Sequence, residues 1–354
     1  MRKGASVCVA LIAIATSIAT SAVADTTEDC AQVRDRDLQI RACSEVIGQG
    51  GNVAWAYFNR GKAYRGKYEA NWRDATYDAK GDNDRAIADY SKAIEIDPTN
   101  AAFYCSRGNA YVYSEEREYD RAIADYGKAI DIDPRYVLTY HLRGNAYRYK
   151  RDYDLAIADY SRVIEINPKR AGAYYDRANA YANKKDLDRA IADYSKSIEI
   201  DPSYFATYYW RGVAHATKKD YDHAIADFSK VIEIRPKDAE AYYNRGNSYY
   251  NKGDNERTIA DFNKAIELEP RFALAYKDRG KAYYTKGDYD SAIADYNLAI
   301  ALNQKHVNTY YERGVANEAL GNREEAIADF WQALATDGNI QGSRDGLRRL
   351  GAPQ

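Results

Sequence analysis

A five-residue phrase returns along this chain at a fixed interval, and nothing else in the sequence limits the possible folds so severely. It reads Ala-Ile-Ala-Asp-Tyr at residues 86–90, 122–126, 156–160, 190–194 and 292–296. It ends in Phe at 224–228 and 326–330, and becomes Thr-Ile-Ala-Asp-Phe at 258–262. From the third copy onward the step is always 34 residues. A second anchor follows each phrase, at Pro98, Pro134, Pro168, Pro202, Pro236 and Pro270, with Gln304 and Gly338 in that place at the end. A period of this length means stacked supersecondary units, because one such unit cannot bury its apolar face alone.

Residues 137–170 show the pattern inside one unit. Tyr140, Gly144 and Tyr147 fall at i, i+4 and i+7, one face of a first helix. Ala156, Ile157, Tyr160, Val163 and Ile164 mark a second helix by the same rule. Lys150 and Arg151 end the first helix, where cations suit its dipole, Asp152 or Asp154 caps the second, and Pro168 stops it. Gly144 and Ala156 carry little or no side chain, so the two helices can approach closely.

The residues Tyr140-x-x-Arg143-Gly144-x-x-Tyr147, followed by Ala156-x-x-x-Tyr160 and Pro168, make the chain resemble the tetratricopeptide repeat family. The resemblance extends over eight units: 54–100, 101–136, 137–170, 171–204, 205–238, 239–272, 273–306 and 307–340. It implies an all-α fold, a right-handed superhelical solenoid of stacked helix-turn-helix repeats with a concave face built mainly from first helices. It also implies protein or peptide binding and no chemistry of its own. Residues 25–53 are expected to form an N-terminal cap with a degenerate half repeat, and 341–354 a C-terminal capping helix. Unit one carries about thirteen extra residues around Arg65 to Lys80, expected as a loop or a lengthened helix hairpin, with Trp72 on it. Unit two carries a small insertion near Glu115 to Arg117.

Comparing the repeats with one another exposes a constellation that hydrophobicity alone does not explain. Arg60, Arg107, Arg143, Arg177, Arg211, Arg245, Arg279 and Arg313 occupy a place where the family usually has Leu. Asp89, Asp125, Asp159, Asp193, Asp227, Asp261, Asp295 and Asp329 recur in the second helices. An anion-binding stripe is one reading. Structural Arg–Asp pairing is favoured, because the local charge balances and a guanidinium fork suits a partly buried carboxylate.

Catalytic chemistry has no visible carrier. His141, His215, His223 and His306 read as scattered over different repeats, with no Cys/His or His/carboxylate spacing of a metal site, and no Gly-rich phosphate loop is present. No catalytic residue, metal or cofactor is expected. Lys and Arg number 51 against 53 Asp and Glu, a balance that forecasts no nucleic acid. Arg2 and Lys3, the apolar run 7–18 and the small residues Ala22 and Ala24 read as a cleavable signal over residues 1–24. The run is too short to span a membrane, and the mature chain is expected to be periplasmic or secreted. In an oxidising compartment Cys30 and Cys43 are expected to pair, leaving Cys105 over.

The expected function is therefore a non-catalytic protein- or peptide-binding scaffold of the cell envelope. A purely architectural, self-associating protein and a carbohydrate or cell-wall binder are the alternatives. Places 5, 6, 9 and 12 of the repeat should face the groove. They hold Cys105, Asn109, His141, Asn145, Tyr175, Asn179, Tyr209, Trp210, Tyr243, Asn244, Asn247, Lys277 and Lys281. Asn can donate to and accept from a peptide main chain, while Tyr and Trp add apolar area with a polar tip.

Overall fold

A computed structural model of the chain describes residues 26–31, 34–50, 53–71, 78–302, 307–336 and 339–352. The expected signal segment and Trp72 lie outside the described residues. After helical residues 26–31, the elements in chain order are α1 (Arg36–Gly48), α2 (Ala54–Asn71), α3 (Ala79–Ile96), α4 (Ala101–Val112), α5 (Tyr119–Ile132) and α6 (Val137–Tyr149). They continue with α7 (Tyr153–Ile166), α8 (Ala171–Asn183), α9 (Leu187–Ile200), α10 (Phe205–Thr217), α11 (Tyr221–Ile234) and α12 (Ala239–Asn251). The last are α13 (Asn255–Leu268), α14 (Ala273–Thr285), α15 (Tyr289–Leu302), α16 (Val307–Leu320), α17 (Arg323–Thr336) and α18 (Gln341–Arg349). No strand occurs among the described residues, and the fold is an all-α repeat solenoid. Even-numbered helices α2 to α16 are the first helices of the repeats, and odd-numbered helices α3 to α17 the second.

The described residues fall into two compact units, one up to residue 180 and one from residue 181. Within each, the two helices of a repeat pack together and the second packs on the first helix of the next repeat. First helices of adjacent repeats also touch, as α4 does α6 and α12 does α14, whereas consecutive second helices do not. First helices therefore line the inner side of each unit.

Close approach within a repeat depends on one glycine. A Cβ on Gly144 would lie 2.8 Å from the Tyr160 ring, and one on Gly246 would lie 2.9 Å from Phe262. These rings are fully buried and form the core of their repeats together with Ala156 or Thr258. The turn between the two helices then needs one residue in the left-handed region. Arg151, Lys185 and Lys219 adopt it with φ of 66°, 66° and 64°, and Gly253, Gly287 and Gly321 with 82° to 83°. The next residue caps the second helix. Asp186, Asp220 and Asp254 accept the backbone N–H three residues on, whereas Asp152 holds the cap position of α7 without a side-chain bond.

The recurrent arginines join neighbouring repeats. Arg245 donates from Nε and Nη2 to the Asp261 carboxylate at 2.8 Å each, and from Nη1 to Ser229 of the preceding repeat at 3.0 Å. Arg60 bridges Asp89 and Ser44, Arg107 bridges Asp125 and Ser91, and Arg211 bridges Asp227 and Ser195 in the same way. Asn263 and Asn297 replace the serine for Arg279 and Arg313. Each guanidinium also lies 5.5–5.9 Å from the ring of the tyrosine three residues before it. The carboxylates are buried and the arginines about four-fifths covered, so this is internal pairing and not an anion stripe.

The extra residues of unit one lengthen its hairpin. Helices α2 and α3 have 18 residues each against 13 to 14 in a typical repeat. Cys30 and Cys43 are joined by a disulfide, with Cα atoms 4.7 Å apart.

Candidate functional site

The inner face carries a polar ladder in which place 5 of one first helix meets place 6 of the next. In the first unit His141 Nε2 lies 3.2 Å from the Asp176 carboxylate. In the second, Asn244 donates to Tyr209 Oη at 3.1 Å, Tyr209 donates to Glu240 at 3.2 Å, and Tyr243 donates to Asp278 at 2.6 Å. Tyr160, from a second helix, donates to Asn145 at 2.7 Å. The side chains expected to await a ligand thus already hold one another across repeats. Tyrosine suits this place because its ring packs on the core while its hydroxyl reaches a polar partner. Tyr209 packs edge-on against Phe228, and Tyr243 packs against Phe262 and Phe272.

Burial shapes the electrostatics of the ladder. It pushes the Asp176 carboxyl up to about 6, against the pull of Arg148 and Arg170. It pushes His141 down to about 4, aided by the same two cations, so the imidazole is neutral at neutral pH. Burial likewise raises Tyr209 to about 12, with the Glu240 carboxylate adding to it. It also raises Glu312, whose Oε2 is buried without a hydrogen-bond partner among the described residues. Lys277 pairs with Asp278 at 3.2 Å, and the Lys281 ammonium lies 5.6 Å from the Tyr250 ring centre.

Besides a shallow depression of about 480 Å³ between Asp97, Ala101 and Asp133, two others among the described residues offer room for a ligand. One of about 320 Å³ lies on the inner side of repeats five and six, between Val213, Ala216 and Thr217 on α10 and Asn244, Asn247 and Asn251 on α12, over Phe228. Trp210, on α10, is 44% exposed and stacks edge-on against Tyr209. The other, about 750 Å³, lies between the lengthened hairpin α2–α3 and the turn after α4. Arg65 is buried there between the rings of Tyr68 and Tyr113, 4.4 and 4.6 Å away. Its Nε and Nη1 have no hydrogen-bond partner among the described residues. The two atoms do not belong to one fork, since Nε converges with Nη2, which lies 3.4 Å from Glu69, so each could reach a separate single acceptor.

Several expectations need correction. Cys105 does not face the groove: it is buried with Ala122 and Tyr126, because place 5 turns toward the interface with the next repeat. Asn109, Asn145, Tyr175 and Asn179 are half-buried, as are Tyr209, Tyr243, Asn244, Asn247 and Lys277. The histidines are not all scattered, since the fold brings His215 and His223 together around Asp220. Asp176, Arg148 and Glu312 were passed over although they occupy places 6 and 12 of their repeats. The signal was present in the numbering; charged groups on a helix ordinarily read as a solvated face.

Sequence comparison adds to this geometry. A model described as TPR repeat matches residues 76–114, 112–148, 216–253 and 280–321, and models described as tetratricopeptide repeat match 141–205, 239–272 and 307–339. Together these stretches cover well over half of the chain. No curated protein gives a significant match. Among solved structures, the C-terminal part of a TPR repeat-containing protein from Cytophaga hutchinsonii is similar, with 22% identity, TM-score 0.57, and 70% of this chain and 98% of that one covered. A tetratricopeptide repeat protein from Parabacteroides merdae is 22% identical with TM-score 0.52, covering 71% and 98%. These two share the fold. The MamA protein is 28% identical with TM-score 0.45, covering 48% of this chain and 92% of its own.

Proposed function

We propose, from the premise that the chain belongs to the tetratricopeptide repeat family, that it is a non-catalytic scaffold which binds a protein or peptide partner along the inner face of its first helices, and that it works in the bacterial cell envelope after export.

The observation that carries the groove reading is the depression on repeats five and six. Its apolar wall, Val213 and Ala216, faces three asparagines, and the exposed Trp210 indole belongs to the same first helix. An extended segment can place a small apolar side chain against Phe228 while its main chain meets amide groups of Asn247 and Asn251. The ladder beneath is already ordered, so little side-chain entropy remains to be lost on binding. Export rests on the N-terminal sequence and on Cys30 and Cys43, which are bonded as suits an oxidising compartment. Among the described residues no helix is long and apolar enough to cross a membrane.

The test is affinity capture from an envelope extract with three baits: the wild type, Trp210→Ala with Asn247→Ala, and Glu233→Ala with Glu267→Ala on second helices. Discrete protein prey that the first variant loses and the second retains is the expected result. Prey insensitive to the inner-face variant, or none beyond copies of the chain itself, contradicts the proposal.

A further inference from the structure

Repeat five departs from its neighbours at two positions that meet across the turn between its helices. Repeats four and six end their first helix with Tyr181 and Tyr249 and carry Arg189 and Arg257 in the first turn of the second. In both, the guanidinium lies 4.5 Å from the tyrosine ring centre and donates to the N-cap carboxylate, Asp186 or Asp254, at 2.6 Å. Repeat five has His215 and His223 in those places, and the carboxylate is Asp220. The imidazoles stack with ring centres 5.0 Å apart and planes at 20°. Both present Nδ1 to Asp220: His215 at 3.1 Å, and His223 at 2.9 and 2.8 Å from the two oxygens.

We propose that His215, Asp220 and His223 form a binding site for a divalent transition-metal ion of the zinc, nickel and copper class. Two imidazoles and one carboxylate match the donor preference of these ions, whereas calcium and magnesium take sites made of oxygen ligands. One donor atom from each residue can be chosen so that all lie within 4.8 Å of one another. Tetrahedral bonds of ~2.0–2.2 Å need ligand atoms roughly 3.3–3.5 Å apart. The carboxylate contacts must therefore open by a few tenths of an ångström, and the two imidazoles close by up to about 1.5 Å. His223 is exposed on the helix surface and can supply that movement.

The other two ligands are held. Asp220 sits at the N-cap of α11, its backbone N–H bonded to the carbonyl of His215. His215 is half-buried on α10. Three protein ligands leave a coordination position for water or for a side chain of a bound partner. With a metal in place, the turn joining α10 to α11 is clamped from both helices.

The full chain, prepared without a polyhistidine tag, is titrated with zinc chloride and separately with calcium chloride by isothermal calorimetry at pH 7.5. The expected result is one zinc ion per chain with affinity on the order of micromolar and no calcium binding at the same concentrations. The double variant His215→Tyr with His223→Arg rebuilds the arrangement of repeats four and six and so preserves the fold. It should weaken zinc binding at least about a hundredfold, and Asp220→Asn at least about tenfold. Absence of zinc binding by the wild type overturns the proposal. So does equal affinity in the double variant, which would place the ion elsewhere on the chain.

Discussion

At the scale of single residues, the internal arginines matter most because most of them serve two repeats, Arg143 opposite Gly127 holding only Asp159. Removing Arg211 leaves the buried Asp227 carboxylate without its fork and Ser195 without its donor. An uncompensated buried charge costs roughly 3 kcal/mol. Arg211→Ala should therefore lower Tm and speed amide exchange first in repeats four and five. Arg211→Met with Asp227→Leu should recover most of the loss. Unchanged stability in the single variant would return the arginines to an anion-binding role. The His141–Asp176 pair makes a pH-dependent prediction. His141, held near 4 in the fold, binds less proton than its unfolded form between about pH 6.5 and 4, so its contribution to stability is lost on acidification. Asp176, raised to about 6, binds more proton than its unfolded form between about pH 6 and 3.8 and gains stability on acidification. The two oppose one another in the wild type. Asp176→Asn should unmask the histidine, giving a protein whose chemical-denaturation midpoint falls more steeply than the wild type's from pH 6.5 to 4; a parallel pH profile would contradict the assignment. The Arg–Asp pairs were legible because they repeat at fixed places. The half-buried carboxylates of the ladder were not, since Asp176, Asp278 and Glu312 share place 6 in only three repeats, where a charged group ordinarily reads as a solvated face and burial depends on the neighbouring helix.

At the scale of elements, the helix–turn–helix unit was readable from periodicity: small residues, buried rings and caps recur at constant offsets, and the 34-residue step ties them to one geometry. Unreadable parts involve the turn and the insertion. His215, Asp220 and His223 are separated by five and three residues, a spacing that means nothing on one helix and becomes a cluster only where α10 hands over to α11. The extra residues of unit one gave no sign whether they would form a loop or extend α2 and α3, as they do. The turn itself stores local strain. Lys219 occupies left-handed backbone at φ 64°, where repeats six to eight use glycine. A side chain there costs ~1–2 kcal/mol, partly offset by the greater entropy of glycine in the unfolded chain. Lys219→Gly should raise stability by roughly 0.5 kcal/mol, read as a higher Tm; a lower Tm would show that the lysine side chain stabilises the turn by contacts of its own.

At the scale of the whole molecule, each repeat is stabilised by itself and by its neighbours, so the array behaves as a chain of nearest-neighbour couplings. The Ser–Arg–Asp bridges and the inner-face ladder are those couplings in atomic form. Within each unit their regular spacing holds inner-face side chains to one another. At the C-terminal end, α18 sets Leu347 against Phe330 and turns arginines outward, covering a face that would otherwise be apolar. A protein partner is proposed to dock on the inner side. Site-specific photo-crosslinking in cells tests it directly, with a benzophenone amino acid placed at Trp210 or Lys281 on first helices, or at Glu233 or Glu267 on second helices. The account predicts a discrete crosslinked protein from the first two positions and none from the others. Crosslinks confined to Glu233 and Glu267 would contradict it.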